Sequence, residues 1–210
     1  MNKNELGEWH YFSSAVYTIK KPEFLDKVNS ISKEYIDIRK KSQVLNEIYS
    51  VYMSDNMFQD NRLSEFTDFI ISTSHDILNS QGYKMDSFDM RFHDMWAQEH
   101  YKYSGQEEHI HGFGSQISGF YFLEVPSDPP RVLIHDPRPS KIYANMPESD
   151  MNKASYASQL INFLPESGMM FFTNSWLPHS FTKNTSDSPF RFIHFDLGVT
   201  FKQNNKAIVV

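Results

Sequence analysis

The sequence has no cysteine among its 210 residues, and it also has no long apolar run. Without cysteine there is no disulfide bond and no thiolate metal site, so a metal ion has to be held by histidine, aspartate or glutamate. No stretch of about 18 consecutive apolar residues occurs, which predicts that no segment spans a membrane. The opening residues, MNKNELGEWHYFSS, lack the apolar core of a secretion signal, so we expect a cytoplasmic protein.

The sequence also lacks an excess of positive charge. Its 20 basic and 26 acidic side chains give a formal net charge of -6. A broad phosphate-binding face is therefore not expected, and neither is duplex nucleic acid as a partner, although a small basic pocket for a small anion remains compatible with this balance. Hydrophobic residues make up 40% of the chain and aromatic residues 15%, which predicts a well-packed core in one large domain.

Helical periodicity is present only near the N-terminus. In residues 21–41 and 61–83, apolar residues recur at spacings of three and four, as on one face of a helix. Pro22 suits a first helical turn, and Gly82 is placed to end the second helix. Residues 1–85 are therefore predicted to form a helical layer.

From about residue 86 the apolar period changes to two. About eight short strand candidates follow, separated by glycine, proline, asparagine and serine. We expect a protein that is mainly β with α, in which an antiparallel barrel or sandwich at residues 86–200 carries the N-terminal helices, followed by a tail at 201–210. The irregular insert at 137–160 is too long for a hairpin loop, and loops of this length often cover a site.

Two histidines stand one residue apart in the stretch EEHIHGF. Side chains alternate between the faces of a strand, so His109 and His111 point the same way, as does Glu107. Two adjacent imidazoles on an inner face can both reach one metal ion. The alternative is a pair of half-exposed surface histidines, and the H-x-H pattern alone does not decide between them.

A third histidine and an arginine follow in the second half of the chain. His179 comes after a turn in SWLPH, and Arg191 opens the last strand, where it shares a face with Ile193, Phe195 and Leu197. An arginine among apolar residues is costly to bury without an anionic partner. A guanidinium in such a place can clamp a carboxylate ligand. The alternative is an ordinary arginine that forms a salt bridge with a neighbouring acid.

These pieces together resemble a known superfamily. Trp96, HIH at 109–111, SGFYFL at 118–123, SWLPH at 175–179 and Arg191 follow in the order typical of Fe(II)/2-oxoglutarate-dependent dioxygenases. Within that superfamily the chain most resembles little-characterised oxygenases of marine bacteria and their tailed phages. The resemblance covers about residues 90 to 200, and its most specific piece is SWLPH followed by the arginine.

The resemblance implies a double-stranded β-helix (jelly-roll) that holds one Fe(II). It makes His109 the first metal ligand, His179 the distal ligand and Arg191 the clamp for the far carboxylate of 2-oxoglutarate. The enzyme would hydroxylate an unidentified substrate with O2 while converting 2-oxoglutarate to succinate, in the host cytoplasm if it is phage-encoded. Tyr121, which also faces inward by parity, could donate a hydrogen bond to a carboxylate, although a buried tyrosine is more often part of the core.

One position departs from the superfamily pattern. The acidic metal ligand would fall on position 111, where this sequence has histidine. We favour His111 as the third ligand, and Glu107 or Asp136 could supply a carboxylate instead. Two rival functions are a cupin-type metal enzyme that does not use 2-oxoglutarate and a non-enzymatic jelly-roll binding protein. The sequence alone identifies neither the substrate nor the oligomeric state.

Overall fold

The computed structural model describes residues 7–46, 48–144 and 146–202. The predicted C-terminal tail therefore lies outside the described residues from position 203 onward. Two long helices come first, α1 (Leu25–Ser42) and α2 (Ser64–Ser80), and a short helix, α3 (Pro139–Tyr143), lies in the insert. The strands are β1 (Val16–Lys20), β2 (Val51–Met53), β3 (Phe88–His100), β4 (Gln106–His109), β5 (Ser115–Glu124), β6 (Val132–His135), β7 (Leu160–Phe163), β8 (Met169–Asn174), β9 (His179–Phe181) and β10 (Phe190–Phe201).

The strands form two sheets whose described pairs are antiparallel. The larger sheet has the order β1-β8-β5-β10-β3-β2, and the smaller has the order β4-β9-β6-β7. The protein is thus mainly antiparallel β with some helices, as the sequence predicts. Neighbours in sequence are often not neighbours in a sheet, so the two sheets are interleaved along the chain.

The central strand β10 has two buried faces, and each face belongs to a different core. Phe190 and Phe192 pack between the two sheets with Phe120 of β5 and Phe181 of β9. The alternate residues of β10, among them Ile193, pack on the other side, with the apolar faces of α1 and α2. A strand buried on both faces reads as a nearly continuous apolar run, which is the pattern of FRFIHFDLGV.

The helices cover the outer face of the larger sheet. Val28, Ile31 and Ile36 of α1 and Phe66 and Ile70 of α2 are buried there. Each helix therefore stabilises the fold through one apolar stripe while its other faces remain polar. Within the described ranges, every helix is too short or too polar to cross a bilayer.

Candidate metal centre

The structure brings together the three histidines singled out from the sequence. His109 ends β4 and lies directly opposite His179, the first residue of β9. His111 follows β4, where its backbone N–H donates to the Ser175 carbonyl at 2.9 Å. The ring centroids of the three imidazoles are 4.5 to 5.2 Å apart, and one nitrogen of each lies within 4.8 Å of the others.

Backbone carbonyls fix the ring orientation of two of these histidines. Nδ1 of His109 lies 2.7 Å from the Glu107 carbonyl oxygen, and Nδ1 of His179 lies 3.0 Å from the Leu177 carbonyl oxygen. A carbonyl oxygen only accepts hydrogen bonds, so in both rings Nδ1 carries the proton. The lone pair is then on Nε2, the nitrogen available to bind a metal.

The carboxylate of Asp196 fixes the ring orientation of the third histidine, His111. Oδ2 of Asp196 lies 2.9 Å from Nδ1 of His111 and 3.1 Å from Nε2 of His194. Both imidazoles therefore donate to one carboxylate oxygen. This leaves Nε2 of His111 with a lone pair, oriented as in the carboxylate–histidine–metal arrangements of metalloproteins.

Several polar atoms of the cluster are buried without a hydrogen-bond partner in the described part of the chain. They include Nε2 of His111, Nε2 of His179 and Oδ1 of Asp196. Nε2 of His109 has one long contact, 3.3 Å, with the Gln106 side-chain amide. Buried polar atoms are normally paired, and these unpaired lone pairs in one place fit the donor set of a metal cation.

The charge states of the cluster suit a divalent cation. Burial lowers the pKa of His179 to about 3 and also lowers the pKa of His109 and of His194, which favours the neutral rings that bind metals. Burial would raise the pKa of Asp196, but the hydrogen bonds from His111 and His194 more than offset it, and the net shift is downward. The site therefore combines neutral imidazoles with one negative charge.

A second set of possible ligands overlaps the first. His111, His194 and Asp196 also lie close enough to hold a metal ion. Nδ1 of His194 and Oδ1 of Asp196 are buried without a hydrogen-bond partner among the described residues, so this set also offers free donor atoms, while Asp196 Oδ2 accepts from both imidazoles. In the set of His109, His111 and His179, the anchored nitrogen of every ring is Nδ1, so Nε2 is the ligand atom in all three.

Neither carboxylate considered from the sequence reaches the cluster. The Glu107 side chain is exposed, and only its backbone carbonyl contacts a histidine of the site. Asp136 forms ion pairs with Arg138 at 2.8 Å and Lys141 at 2.9 Å, and the Arg138 hydrogen bond is the main cause that holds its pKa well below the usual range. The carboxylate beside the histidines is instead that of Asp196.

Arg191 is not at the site, which corrects its predicted role as a carboxylate clamp. Its side chain points to the helix-covered face of β10, where Nε donates to Oε2 of Glu99 at 2.8 Å. Nη1 donates to Glu124 at 3.1 Å and to Asn29 of α1 at 3.0 Å. The anionic partner that burial demands is therefore Glu99, which is 1% exposed.

Tyr121 also lies on the helix-covered face, so it is not beside the histidines. Its hydroxyl donates to the Lys21 carbonyl oxygen at 2.7 Å, and its ring packs on Phe66 of α2 with 5.1 Å between the centroids. Burial raises the pKa of this phenol. Tyr121 is a core residue with a satisfied hydroxyl, the alternative considered from the sequence.

Asp196 and His194 were missed by the sequence reasoning, although a signal for them exists. Both occur in the apolar strand β10 and both have the parity opposite to Arg191. The sequence-based prediction places the site on the face of Arg191, so residues of the opposite parity, His194 among them, are not predicted as site residues. Two polar residues two positions apart in a buried strand are a signal of their own, because each needs a polar partner.

The chain matches a family model and several solved structures. Residues 94–196, just under half of the chain, match the family described as "Putative 2OG-Fe(II) oxygenase". No curated protein matches the chain by sequence.

Three solved structures have a similar fold. A prolyl-4-hydroxylase of Pseudomonas putida shares 10% identity and a TM-score of 0.56, over 90% of this chain and 94% of its own. HygX of Streptomyces hygroscopicus, solved with nickel and 2-oxoglutarate bound, shares 12% identity and a TM-score of 0.58, over 88% and 83%. SnoN, an α-ketoglutarate-dependent epimerase from nogalamycin biosynthesis, shares 12% identity and a TM-score of 0.57, over 92% and 83%.

At these identities the structural likeness shows the fold alone. The family match covers the stretch of sequence that contains all five residues of the histidine and aspartate cluster. The family description names 2-oxoglutarate and Fe(II), and the similar structures include one solved with nickel and 2-oxoglutarate bound.

Proposed function

We propose that this protein is an Fe(II)/2-oxoglutarate-dependent oxygenase built on a jelly-roll, with His109, His111 and His179 as the metal ligands. The observation that carries the proposal is the shared orientation of the three imidazoles, each with Nδ1 anchored, which leaves Nε2 of each ring as the ligand atom. Imidazole nitrogen suits Fe(II), and the two buried, unpaired Nε2 atoms fit the group that the family implies.

The residues around the ligands position and shield the metal. Asp196 accepts a hydrogen bond from Nδ1 of His111 and supplies negative charge beside the three imidazoles. Phe120 lies 5.5 Å from His179 and 5.1 Å from His194 between ring centroids, so an apolar wall excludes water on that side. When bound, Fe(II) with 2-oxoglutarate and O2 would supply the oxidising power for hydroxylation. The protein would orient the bound groups and exclude water from the site.

The direct test is succinate formation. Protein purified without oxygen would be given Fe(II), 2-oxoglutarate and then O2, with metal-free protein as the control. We expect succinate only in the complete mixture, because decarboxylation of 2-oxoglutarate can proceed without the unidentified substrate at a reduced rate. Absence of both iron binding and 2-oxoglutarate binding would refute the proposal.

One observation favours an alternative function. Arg191, the predicted clamp for the far carboxylate, is held by Glu99 and Glu124 on the opposite face of β10. This contact set supports a jelly-roll metal enzyme of cupin type that does not use 2-oxoglutarate. The same experiment separates the two functions: iron binding without 2-oxoglutarate binding or succinate would favour the alternative.

The finer assignment to the oxygenases of marine bacteria and tailed phages is part of the proposal. It is supported by SGFYFL, which lies in β5, and by SWLPH, which leads into β9. With it we infer that the protein acts in the bacterial cytoplasm, which is that of the host if a phage encodes it. O2 and the substrate to be hydroxylated would be its reaction partners.

Asp196→Asn is expected to weaken metal binding about 10- to 100-fold, the usual effect of losing a partner that orients a metal ligand. The amide oxygen can accept from both His111 and His194 but carries no charge, so these hydrogen bonds weaken and His111 is held less firmly in its tautomer. The measurement is an anaerobic Co(II) titration followed by visible absorption. Glu107→Gln is the matched control and should bind Co(II) like the unchanged protein. Equal losses in both variants would contradict the positioning role of Asp196.

A further inference from the structure

A cleft of about 570 Å³ opens next to the candidate metal centre. Its floor includes Ile134 of β6 and Ile161 of β7, and its walls are the N-terminal segment 10–14 and the insert segment 154–159. This volume lies within the range of small-molecule sites. The function proposed above leaves the cleft without a role.

The cleft and the metal centre share one row of side chains across the smaller sheet. His109 lies opposite His179, His179 lies opposite Ile134, and Ile134 lies opposite Ile161. Residues directly opposite in antiparallel strands point to the same face, with neighbouring Cβ atoms roughly 5 Å apart. The first two members of the row belong to the metal centre, and the last two belong to the floor of the cleft.

The walls of the cleft are aromatic, and ring stacking and hydrogen bonds hold them in place. His10 and Tyr156 stack across the entrance with 5.2 Å between ring centroids and 15° between the ring planes. Tyr11 and Phe12 line the same wall. The insert segment is held by Lys141, whose ammonium donates to the Ala157 and Ser158 carbonyl oxygens at 3.2 and 2.6 Å.

The charged lining residues neutralise each other. Asp136 accepts from the backbone N–H, Nε and Nη2 of Arg138, and it also pairs with Lys141, which does not line the cleft, so the lining acid and the lining base are paired within the cleft wall. The remaining lining residues are apolar, aromatic or hydroxyl- and amide-bearing, such as Ser155 and Gln159, together with His10 and His135, whose rings lie 3.7 and 3.3 Å from the carboxylates of Glu8 and Glu108. A cleft of this kind has no unpaired charge to attract an ionic ligand, and its aromatic walls favour a flat one.

We propose that this cleft binds the substrate of the oxygenase and that the substrate is a small, neutral, planar molecule. That the ligand is a substrate rests on the function proposed above. The shared row of side chains directs the ligand toward the proposed metal centre. Ligand binding by the cleft itself requires no metal, so the two proposals can fail separately.

The first experiment measures binding to metal-free protein with 5-fluoroindole as a neutral planar probe, followed by ¹⁹F NMR. We expect saturable binding that Tyr156→Ala weakens about tenfold, since an aromatic contact and its buried area are lost. Tyr143→Ala is the matched control, because Tyr143 is 92% exposed and does not line the cleft. We expect 5-fluoroindole-2-carboxylate to bind more weakly than the neutral probe. Absence of binding, an unchanged affinity in Tyr156→Ala or tighter binding of the anion would overturn the proposal.

The second experiment tests whether the bound probe faces the metal centre. With Mn(II) in place of Fe(II), the ¹⁹F signal of bound 5-fluoroindole should broaden strongly relative to the Zn(II) form. In His179→Ala the broadening should disappear while binding of the probe to the metal-free cleft persists. Binding without broadening in Mn(II)-loaded protein would show that the cleft does not serve the metal centre. If the protein binds no metal but binds the probe in the first experiment, the proposed function fails and the cleft remains a binding site.

Discussion

Replacing His179 with alanine is expected to abolish metal binding at the histidine cluster. This side chain is fully buried, and its Nε2 has no hydrogen-bond partner among the described residues, so its part in the site is to provide a lone pair. Loss of a direct ligand should weaken affinity by more than the roughly 100-fold that loss of an orienting partner costs. Succinate formation should fall to the level of the metal-free protein.

Thermal unfolding gives a second readout of His179→Ala that does not depend on catalysis. A metal present at about 100 times its dissociation constant stabilises the native state by about 2.7 kcal/mol. For a chain of this length, that corresponds to a rise of roughly 5 to 10 °C in Tm. We expect this rise on adding Co(II) or Zn(II) to the unchanged protein and none for His179→Ala. His75→Ala, a change on the surface of α2, is the control and should keep the full metal-dependent rise. A metal-dependent rise in His179→Ala equal to that of the control would show that His179 is not a ligand.

Replacing Arg191 with methionine is expected to destabilise the fold by about 3 kcal/mol, the lower end of the cost of leaving a buried charge without its partner. Methionine keeps most of the side-chain volume but removes the cation from Glu99, which is buried. Lys40 at 2.8 Å and Tyr101 at 2.7 Å still contact Glu99, which is why the lower end is expected. The measurement is urea unfolding of the metal-free protein.

Two comparisons make the result for Arg191→Met specific. Arg91→Met, at an exposed position of β3, should change the free energy of unfolding by less than about 0.5 kcal/mol. Adding Glu99→Gln to Arg191→Met should recover part of the loss, because it removes the charge that lacks a partner. A stable Arg191→Met protein that binds metal but has lost 2-oxoglutarate binding would instead support the sequence-based prediction that Arg191 clamps the carboxylate of 2-oxoglutarate.

The period of the sequence predicted which residues share a face, but it could not say which face is the inner one. On β10, Arg191 shares parity with Ile193 and His194 shares parity with Phe192, and all four are buried. Because helices cover one side of this strand and the smaller sheet covers the other, both faces are apolar. Arg191 among apolar residues therefore predicted a buried anionic partner correctly, and this partner is Glu99 of the neighbouring strand β3.

Strands without a strong apolar signal were also missed. β7 (Leu160–Phe163) begins at the last residue of the predicted insert, and its four residues, three of them exposed, are too few to show a period. β1 (Val16–Lys20) is a short edge strand that pairs only with β8 among the described strands. Such strands are specified by the partner they join rather than by their own alternation. In contrast, α1 and α2 follow from the spacing of their buried residues, because each covers a sheet with a single stripe.

The row of His109, His179, Ile134 and Ile161 depends on the register in which the strands of the smaller sheet pair. Side chains alternate with a period of two, so a slip of β9 by one residue would turn His179 away and bring Pro178 or Ser180 into its place. The same slip would turn Phe181 out of the core between the sheets, so hydrophobic burial favours the correct pairing as well. A metal ion that binds only the correct pairing would add its full binding energy to that choice. Refolding in the presence of metal should therefore improve the yield of correctly paired protein as well as its stability.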